Sequence, residues 1–137
     1  MIMIKTDNLW NIIAVDISGR HPINDRYYIV CAAVAVTVSA DNIEKIKQIK
    51  IKPFRCGSAP EITDIVHIIE YTVKEIEFEG TIITEQGDLF NKPERIAASM
   101  FSCNFKYQES LGERRAIELA HHVSLSARNA LIKEGVA

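Results

Sequence analysis

The chain has 137 residues, 47% of them hydrophobic and 25% charged, with a net charge of −2. This composition excludes disordered, collagenous and low-complexity classes, and the length fits one domain that needs no disulfide or metal staple. The nearly balanced charge excludes a generally basic coat, so any hold on nucleic acid would have to come from a local patch.

Three cysteines, Cys31, Cys56 and Cys103, are odd in number and far apart. No C-x-x-C pair exists, which excludes zinc-ribbon and thioredoxin-like readings. Unclustered thiols suit a reducing cytosol, so a cytoplasmic location is expected. The opening Met1 to Asp7 has no basic region followed by an apolar stretch, so no secretion signal is expected. The longest apolar run, Tyr27 to Val38, is interrupted by Thr37 and falls short of the ~20 residues that span a bilayer. With no internal repeat and no linker rich in Gly, Pro or Ser, residues 1–137 read as a single domain.

Trp10 to Asp16 is short, apolar and β-branched, which predicts a buried strand closed by Ser18-Gly19. Arg20 to Asp25 is a loop by its Pro and Asn-Asp content. Tyr27 to Val38 predicts a central strand with helices on both sides, although its three alanines also allow a buried helix. Asp41-Asn42-Ile43-Glu44 fits a capping box, so one or two helical turns are expected there. Ile49 to Lys52 alternates and reads as an edge strand protected by lysines and Pro53, with Phe54 close behind.

Ser58-Ala59-Pro60-Glu61 is a helix start, and Ile62, Ile65, Val66, Ile69, Val73 and Ile76 recur at helical spacing to about Glu77. Gly80 to Glu85 predicts another buried strand, closed by Gln86-Gly87-Asp88. Asn91-Lys92-Pro93-Glu94 opens a short helix through Met100. Phe101, Cys103, Phe105 and Tyr107 alternate with polar residues and predict a last strand. Ser110 to Lys133 is one long amphipathic helix. The order predicts α/β architecture with a five-stranded mixed sheet: three antiparallel strands, then two strands parallel to the first, with helices on both faces.

This order, with Ile13-Ala14-Val15-Asp16-Ile17-Ser18-Gly19 ahead of a loop and a long apolar strand, resembles the ribonuclease H-like superfamily. It resembles small proteins of this kind with unassigned function, many of them microbial, that open with an Asp-x-Ser-Gly stretch. The resemblance implies a phosphodiester-cleaving site in which acids from the first strand, first long helix, fourth strand and last helix hold two divalent metals. Carried over, the acids are Asp16, Glu61, Glu85 and Glu113. Asp64 and Glu70 are alternatives for the helix position, and Asp88 is a rival to Glu85. The implied cofactor is Mg²⁺ or Mn²⁺, with Asp16, Glu85 and Glu113 as the metal ligands. Hard oxygen ligands suit those ions, which would activate water and steady the leaving oxygen.

Glu113 also has an argument of its own. At about 100° per residue it shares a helix side with Ile117, Ala120, Ser124 and Leu131, where a carboxylate is costly without a cation or donors. Arg114, Arg115, Glu118, His121, His122 and Arg128 fall on the opposite side, as a solvated face or a phosphate-holding stripe. Leu125 and Ile132 on that side hint at a homodimer contact. Plainer roles stand beside these: Asp16 as a turn former bonded to the Ser18 and Gly19 amides, Glu113 as a first-turn dipole partner, Asp88 as a turn residue.

There is no G-x-x-x-x-G-K-[ST] loop, no G-x-G-x-x-G after a strand and no G-x-S-x-G elbow. Three functions follow, in this order. The first is a metal-dependent nuclease or other nucleic-acid-processing protein. The second is a non-catalytic module of the same fold that oligomerises or docks to a partner. The third is nucleotide binding, because Val15 to Gly19 also resembles the first phosphate motif of actin-like kinases.

Overall fold

The computed structural model describes residues 8–135; the sequence reading of the first seven residues lies outside them. The elements are β1 (Trp10–Ser18), β2 (Tyr27–Val38), β3 (Ile43–Cys56), α1 (Ile62–Val73), β4 (Thr81–Thr84), a 3₁₀ turn (Gln86–Leu89), α2 (Glu94–Ser99), β5 (Phe105–Tyr107) and α3 (Leu111–Lys133). They form a five-stranded sheet in the order β3-β2-β1-β4-β5. β1, β2 and β3 pair antiparallel, while β4 pairs parallel to β1 and β5 parallel to β4. The α/β class, the mixed five-stranded sheet and the strand directions are those the sequence order predicts.

β2 is a strand, not a buried helix. It lies between β1 and β3, and its apolar residues are covered on both faces. Odd-numbered residues of β1 and β2, among them Ile13, Val15, Ile29 and Cys31, pack under Ile65, Val66, Ile68 and Ile69 of α1. Even-numbered residues, among them Ile12, Ala14, Val34 and Val36, pack under Ala116, Ile117 and Ala120 of α3. Small side chains on that side let α3 lie close on the sheet. The hydrogen bonds of α3 to Trp10 at the start of β1 and to Asp16 near its end show that helix and strand run in the same direction.

The expected helical turns at 41–44 are a tight turn instead. The Ser39 hydroxyl accepts from the Asn42 amide at 3.1 Å and donates to Glu44 at 2.8 Å, and the Ser39 amide donates to the Asn42 carbonyl at 2.9 Å. Short polar side chains serve turns as readily as helix caps, so β3 begins at Ile43 and runs 14 residues, well beyond the predicted 49–52. α1 starts later than the Ser58 cap predicts, with Glu61 as the N-cap residue, and ends at Val73. α2 is capped by Pro93, because Asn91 is in the left-handed region at φ 57°. The last strand covers only 105–107; Phe101 instead stacks on Phe105 with ring centroids 4.4 Å apart.

The α3 N-terminus meets the turn after β2 at Gly112, whose amide donates to the Ala40 carbonyl at 2.9 Å. A Cβ at this position would collide with the Ser39 carbonyl oxygen. Gly112→Ala is therefore expected to lower stability by about 1–3 kcal/mol through overpacking, despite the better helix propensity of alanine. Urea denaturation of the two proteins measures the difference, and equal stability would contradict this close approach.

Candidate functional site

The candidate acids divide between two ends of the sheet. Glu113 is at the end where β1 begins, and it is fully buried. Its Oε2 accepts from the Trp10 indole at 3.0 Å and lies 3.0 Å from Lys106 Nζ, while Oε1 accepts from the amides of Glu109 at 2.8 Å and Ser110 at 3.2 Å. In return its own amide donates to the Ser110 hydroxyl at 3.1 Å, completing a capping box. Burial pushes the carboxyl up, but Lys106, the two amides and the indole together outweigh it and hold Glu113 below the usual carboxylate range. This carboxylate is spent on internal partners. It also sits on α3 11 residues before Ser124, the residue that touches Asp16, a spacing of roughly 16 Å at the α-helical rise. Glu113 therefore does not join Asp16 in one pocket, contrary to the implied ligand set.

The α1 acids are also occupied or displaced. Asp64 accepts from the Glu61 amide at 2.8 Å, and Glu61 stands at the exposed helix start. Glu70 binds the amide of Ser102 at 3.2 Å and the Ser102 hydroxyl, tying α1 to the segment before β5. α1 covers the odd-numbered face of β1, whereas Asp16 points to the even-numbered face with Ala14 and Ile12. None of these three acids has a bond to Asp16 or Asp88.

At the other end, Asp16 is 4% exposed near the end of β1. Its Oδ2 accepts from the Ser124 hydroxyl at 2.8 Å and lies 3.2 Å from His121 Nδ1. Ser124 and Ser18 hydroxyls are 2.7 Å apart. One hydroxyl proton serves one acceptor, so with Ser124 donating to Asp16, Ser18 donates to Ser124. The turn-former reading of Asp16 is not what its bonds show, since its side chain reaches across to α3. The sequence pattern puts His121 on the far side of α3, yet it stands only about 60° from Ser124 around the helix axis and reaches Asp16 at the strand end. Arg128, from the same assigned side, donates through Nε to the Tyr28 carbonyl at 2.8 Å.

Asp88 completes this end. The short β4 strand leads into the 3₁₀ turn, and Phe90 and Asn91 close it in the left-handed region at φ 58° and 57°. That closure turns Asp88 inward, and its side chain is 15% exposed. Arg20 donates to the Asp88 carbonyl, lies 3.8 Å from Oδ1 and stacks over Phe90. Oδ2 is buried without a hydrogen-bond partner. Burial above all, with Asp16 and Glu85 adding to it, raises the Asp88 carboxyl to about 7 against the lowering pull of Arg20 and His121. Glu85 itself is exposed at the rim of the turn. The sequence offers Asp88 only as a rival to Glu85, His121 only as part of a solvated or phosphate-holding stripe, and Ser124 not as a site residue. A histidine three positions before a serine, flanking a stripe of alanines, was the available signal.

The cluster is thus a serine-braced, histidine-contacted aspartate beside a second, partly unpaired aspartate. Among the described residues, no group of three or more His, Cys, Asp and Glu side chains is arranged to hold a metal ion. No helix among them is long and apolar enough to cross a membrane.

Fold and site together define a small α/β protein with a mixed five-stranded sheet, a buried Asp16 near the end of its first strand and a half-buried Asp88 on the turn after β4. The chain belongs to the archaeal family described as "Uncharacterized protein conserved in archaea (DUF2209)", which it matches over residues 13–132. It is also 34% identical over 123 residues to "Uncharacterized protein MJ0095" of Methanocaldococcus jannaschii, covering 88% of this chain and 96% of that protein. No solved structure matches it.

The raised Asp88 carboxyl has a signed consequence. Between its ordinary value of 3.8 and its folded value of about 7, the native state holds a proton that the unfolded chain has released. Stability therefore falls as pH rises through that window, by an amount on the order of a few kcal/mol. Asp88→Asn, measured by urea denaturation with a chelator present, is expected to be more stable than the wild type near pH ~8, with the gap closing toward pH ~4. A wild-type stability that is flat or rising across this range would contradict the strained carboxylate.

Proposed function

We propose that this chain is a ribonuclease H-like protein that acts on nucleic-acid phosphodiesters with a divalent cation, Mg²⁺ or Mn²⁺, held by Asp16 and Asp88. The observation that carries this reading is the buried Asp88 oxygen with no partner, beside a second carboxylate. Two such groups at one strand end repel each other unless a proton or a cation lies between them. Mg²⁺ commonly takes only one or two protein carboxylates and completes its shell with water and substrate phosphate, so a pair of aspartates is an adequate donor set. The strand order β3-β2-β1-β4-β5 and the position of Asp16 on β1 support the superfamily assignment.

Each residue has a distinct task under this reading. Ser124 fixes the orientation of Asp16 through Oδ2, and Ser18 fixes Ser124. Arg20 anchors the turn that presents Asp88. His121, with its side chain about half exposed, stands at the mouth beside Asp16 and can hydrogen-bond a bound group. Glu85 adds negative charge at the rim. A bound cation would supply Lewis-acid polarisation of a phosphoryl oxygen and a lowered pKa for water. β3 carries Lys45, Lys47, Lys50, Lys52 and Arg55, a local basic strand within an acidic chain. The Lys47 ammonium is pushed below its usual value by its neighbour Lys45, so this pair would gain from an anionic partner.

The second reading, a non-catalytic oligomerising module, is favoured by one surface. Ile46, Ile49 and Ile51 are 51%, 40% and 41% exposed on β3, the sheet edge, and Leu125 on α3 is 39% exposed. A shallow groove joins Ile51 to Val123 and Ala127 of α3.

Thermal melting with Mn²⁺ separates the two readings. A ligand that binds only the native state adds about 2.7 kcal/mol at a hundredfold excess over Kd. The wild type is expected to gain stability at millimolar Mn²⁺, while Asp16→Asn and Asp88→Asn lose that gain, and cleavage of single-stranded, duplex or hybrid substrates disappears with it. No gain and no cleavage, together with a dimer by sedimentation that Ile49→Glu dissolves, would establish the module instead.

A further inference from the structure

Next to the end of the sheet that carries Asp16, but separate from its cluster, lies a cavity of about 930 Å³. Its walls include Arg26 just before β2, Tyr28 at the start of β2, Arg55 and Cys56 from the end of β3, and Gly135 just beyond α3. Tyr28 is 4% exposed, and its hydroxyl is buried with no hydrogen-bond partner. Such a hydroxyl is unusual, because buried polar side chains are nearly always satisfied. The Arg55 guanidinium lies over the Tyr28 ring, 5.7 Å from its centroid. Arg26 is exposed, on a two-residue turn whose Ile23 and Arg26 exchange backbone hydrogen bonds at 2.7 Å and 3.0 Å. The cavity size suits a small ligand or the end of a larger one. Asp25 is the acidic residue among its lining, against two arginines.

We infer that this cavity is a phosphate-group site, in which Arg26 and Arg55 take the charge and the Tyr28 hydroxyl donates to a phosphate oxygen. Guanidinium groups match phosphate oxygens with paired, charge-assisted hydrogen bonds. Binding draws Arg55 from the tyrosine ring onto the anion and opens the hydroxyl to it, giving that donor the acceptor it lacks. The inference stands apart from the metal reading of Asp16 and Asp88, since it uses none of their side chains.

The test is a two-dimensional amide NMR titration of the full chain with inorganic phosphate and, separately, with dimethyl phosphate, using chloride at matched ionic strength as the control. Saturable shifts confined to residues 23–28 and 55–57 are expected. Saturation by inorganic phosphate alone marks the site as one for free phosphate or monoesters. Saturation by dimethyl phosphate as well marks it as one for the diester of a nucleic-acid backbone. Arg26→Ala, at an exposed position, and Tyr28→Phe are each expected to weaken binding at least tenfold. Tyr28→Phe is also expected to leave the melting temperature of the ligand-free protein unchanged or higher, because it removes an unsatisfied hydroxyl. Shifts that chloride reproduces, that do not saturate, or that persist unaltered in Arg26→Ala overturn the site, as does a marked fall in the ligand-free melting temperature of Tyr28→Phe. Neither outcome depends on divalent cations, so failure here is distinct from failure at Asp16.

Discussion

The seating of α3 along β1 is the constraint on which the rest of the structure depends. The core under this helix is thin: alanines and one isoleucine of α3 against small and β-branched residues of the sheet. Polar anchors fix its position along the strand. At one end Glu113 ties Trp10, Lys106 and the helix start together. At the other, Ser124 bridges Asp16 and Ser18, and Arg128 reaches the Tyr28 backbone. Hydrophobic burial is non-directional. These hydrogen bonds are directional, and they set the register that brings His121 to the strand end.

The two anchors differ in how their charges are compensated. The Glu113 carboxylate meets an ammonium, an indole and two amides, so it is favoured in the folded state, and its contribution fades only as pH falls through the acid range. Asp88 has one distant guanidinium on Oδ1 and nothing on Oδ2. Its ionised form is disfavoured in the folded state, and the cost is present at neutral pH and above. Two buried acids on one scaffold thus pull stability in opposite directions with pH. The costly one is raised further by other carboxylates, Asp16 and Glu85, whereas Glu113 and its neighbour Glu109 share the Lys106 ammonium.

The fold was largely legible in the sequence because hydrophobic periodicity is a local signal. The apolar run of β2, the helical spacing in α1 and the Ser110 cap with Glu113 three residues on all reappear as elements. Local polar motifs were less decisive: Asp41 to Glu44 has the residues of a helix cap, but Ser39 recruits them into a turn. The site was legible only in its first member, Asp16. Helix geometry marks Glu113 as buried, and a buried acid invites a cation, yet Lys106 lies across the chain from any spacing argument and fills that role. Asp88 reads as a turn residue because its inward direction depends on Phe90 and Asn91 adopting the left-handed region and on Arg20 arriving from the loop after β1. His121 reads as solvated because a wheel divides a helix into two sides, whereas the flank of the buried stripe is where a side chain reaches both water and the sheet.

These differences bear on what the strand end can do. A site built only for stability would end as the Glu113 anchor does, with every lone pair met by a fixed donor. The Asp16 end has instead one carboxylate held rigid through a single oxygen, a second left partly bare, and a half-exposed histidine at the mouth. Rigid placement of one acid with incomplete compensation of its neighbour keeps charge available to an incoming cation or proton while the fold, secured by the other anchor, tolerates the cost. Asp16 meets no acid of the last helix at this end; Ser124 and His121 contact it there instead. Under the proposed reading, a cation here would meet a lower negative charge than four carboxylates supply, and it would draw more of its coordination from water and from a phosphate ligand.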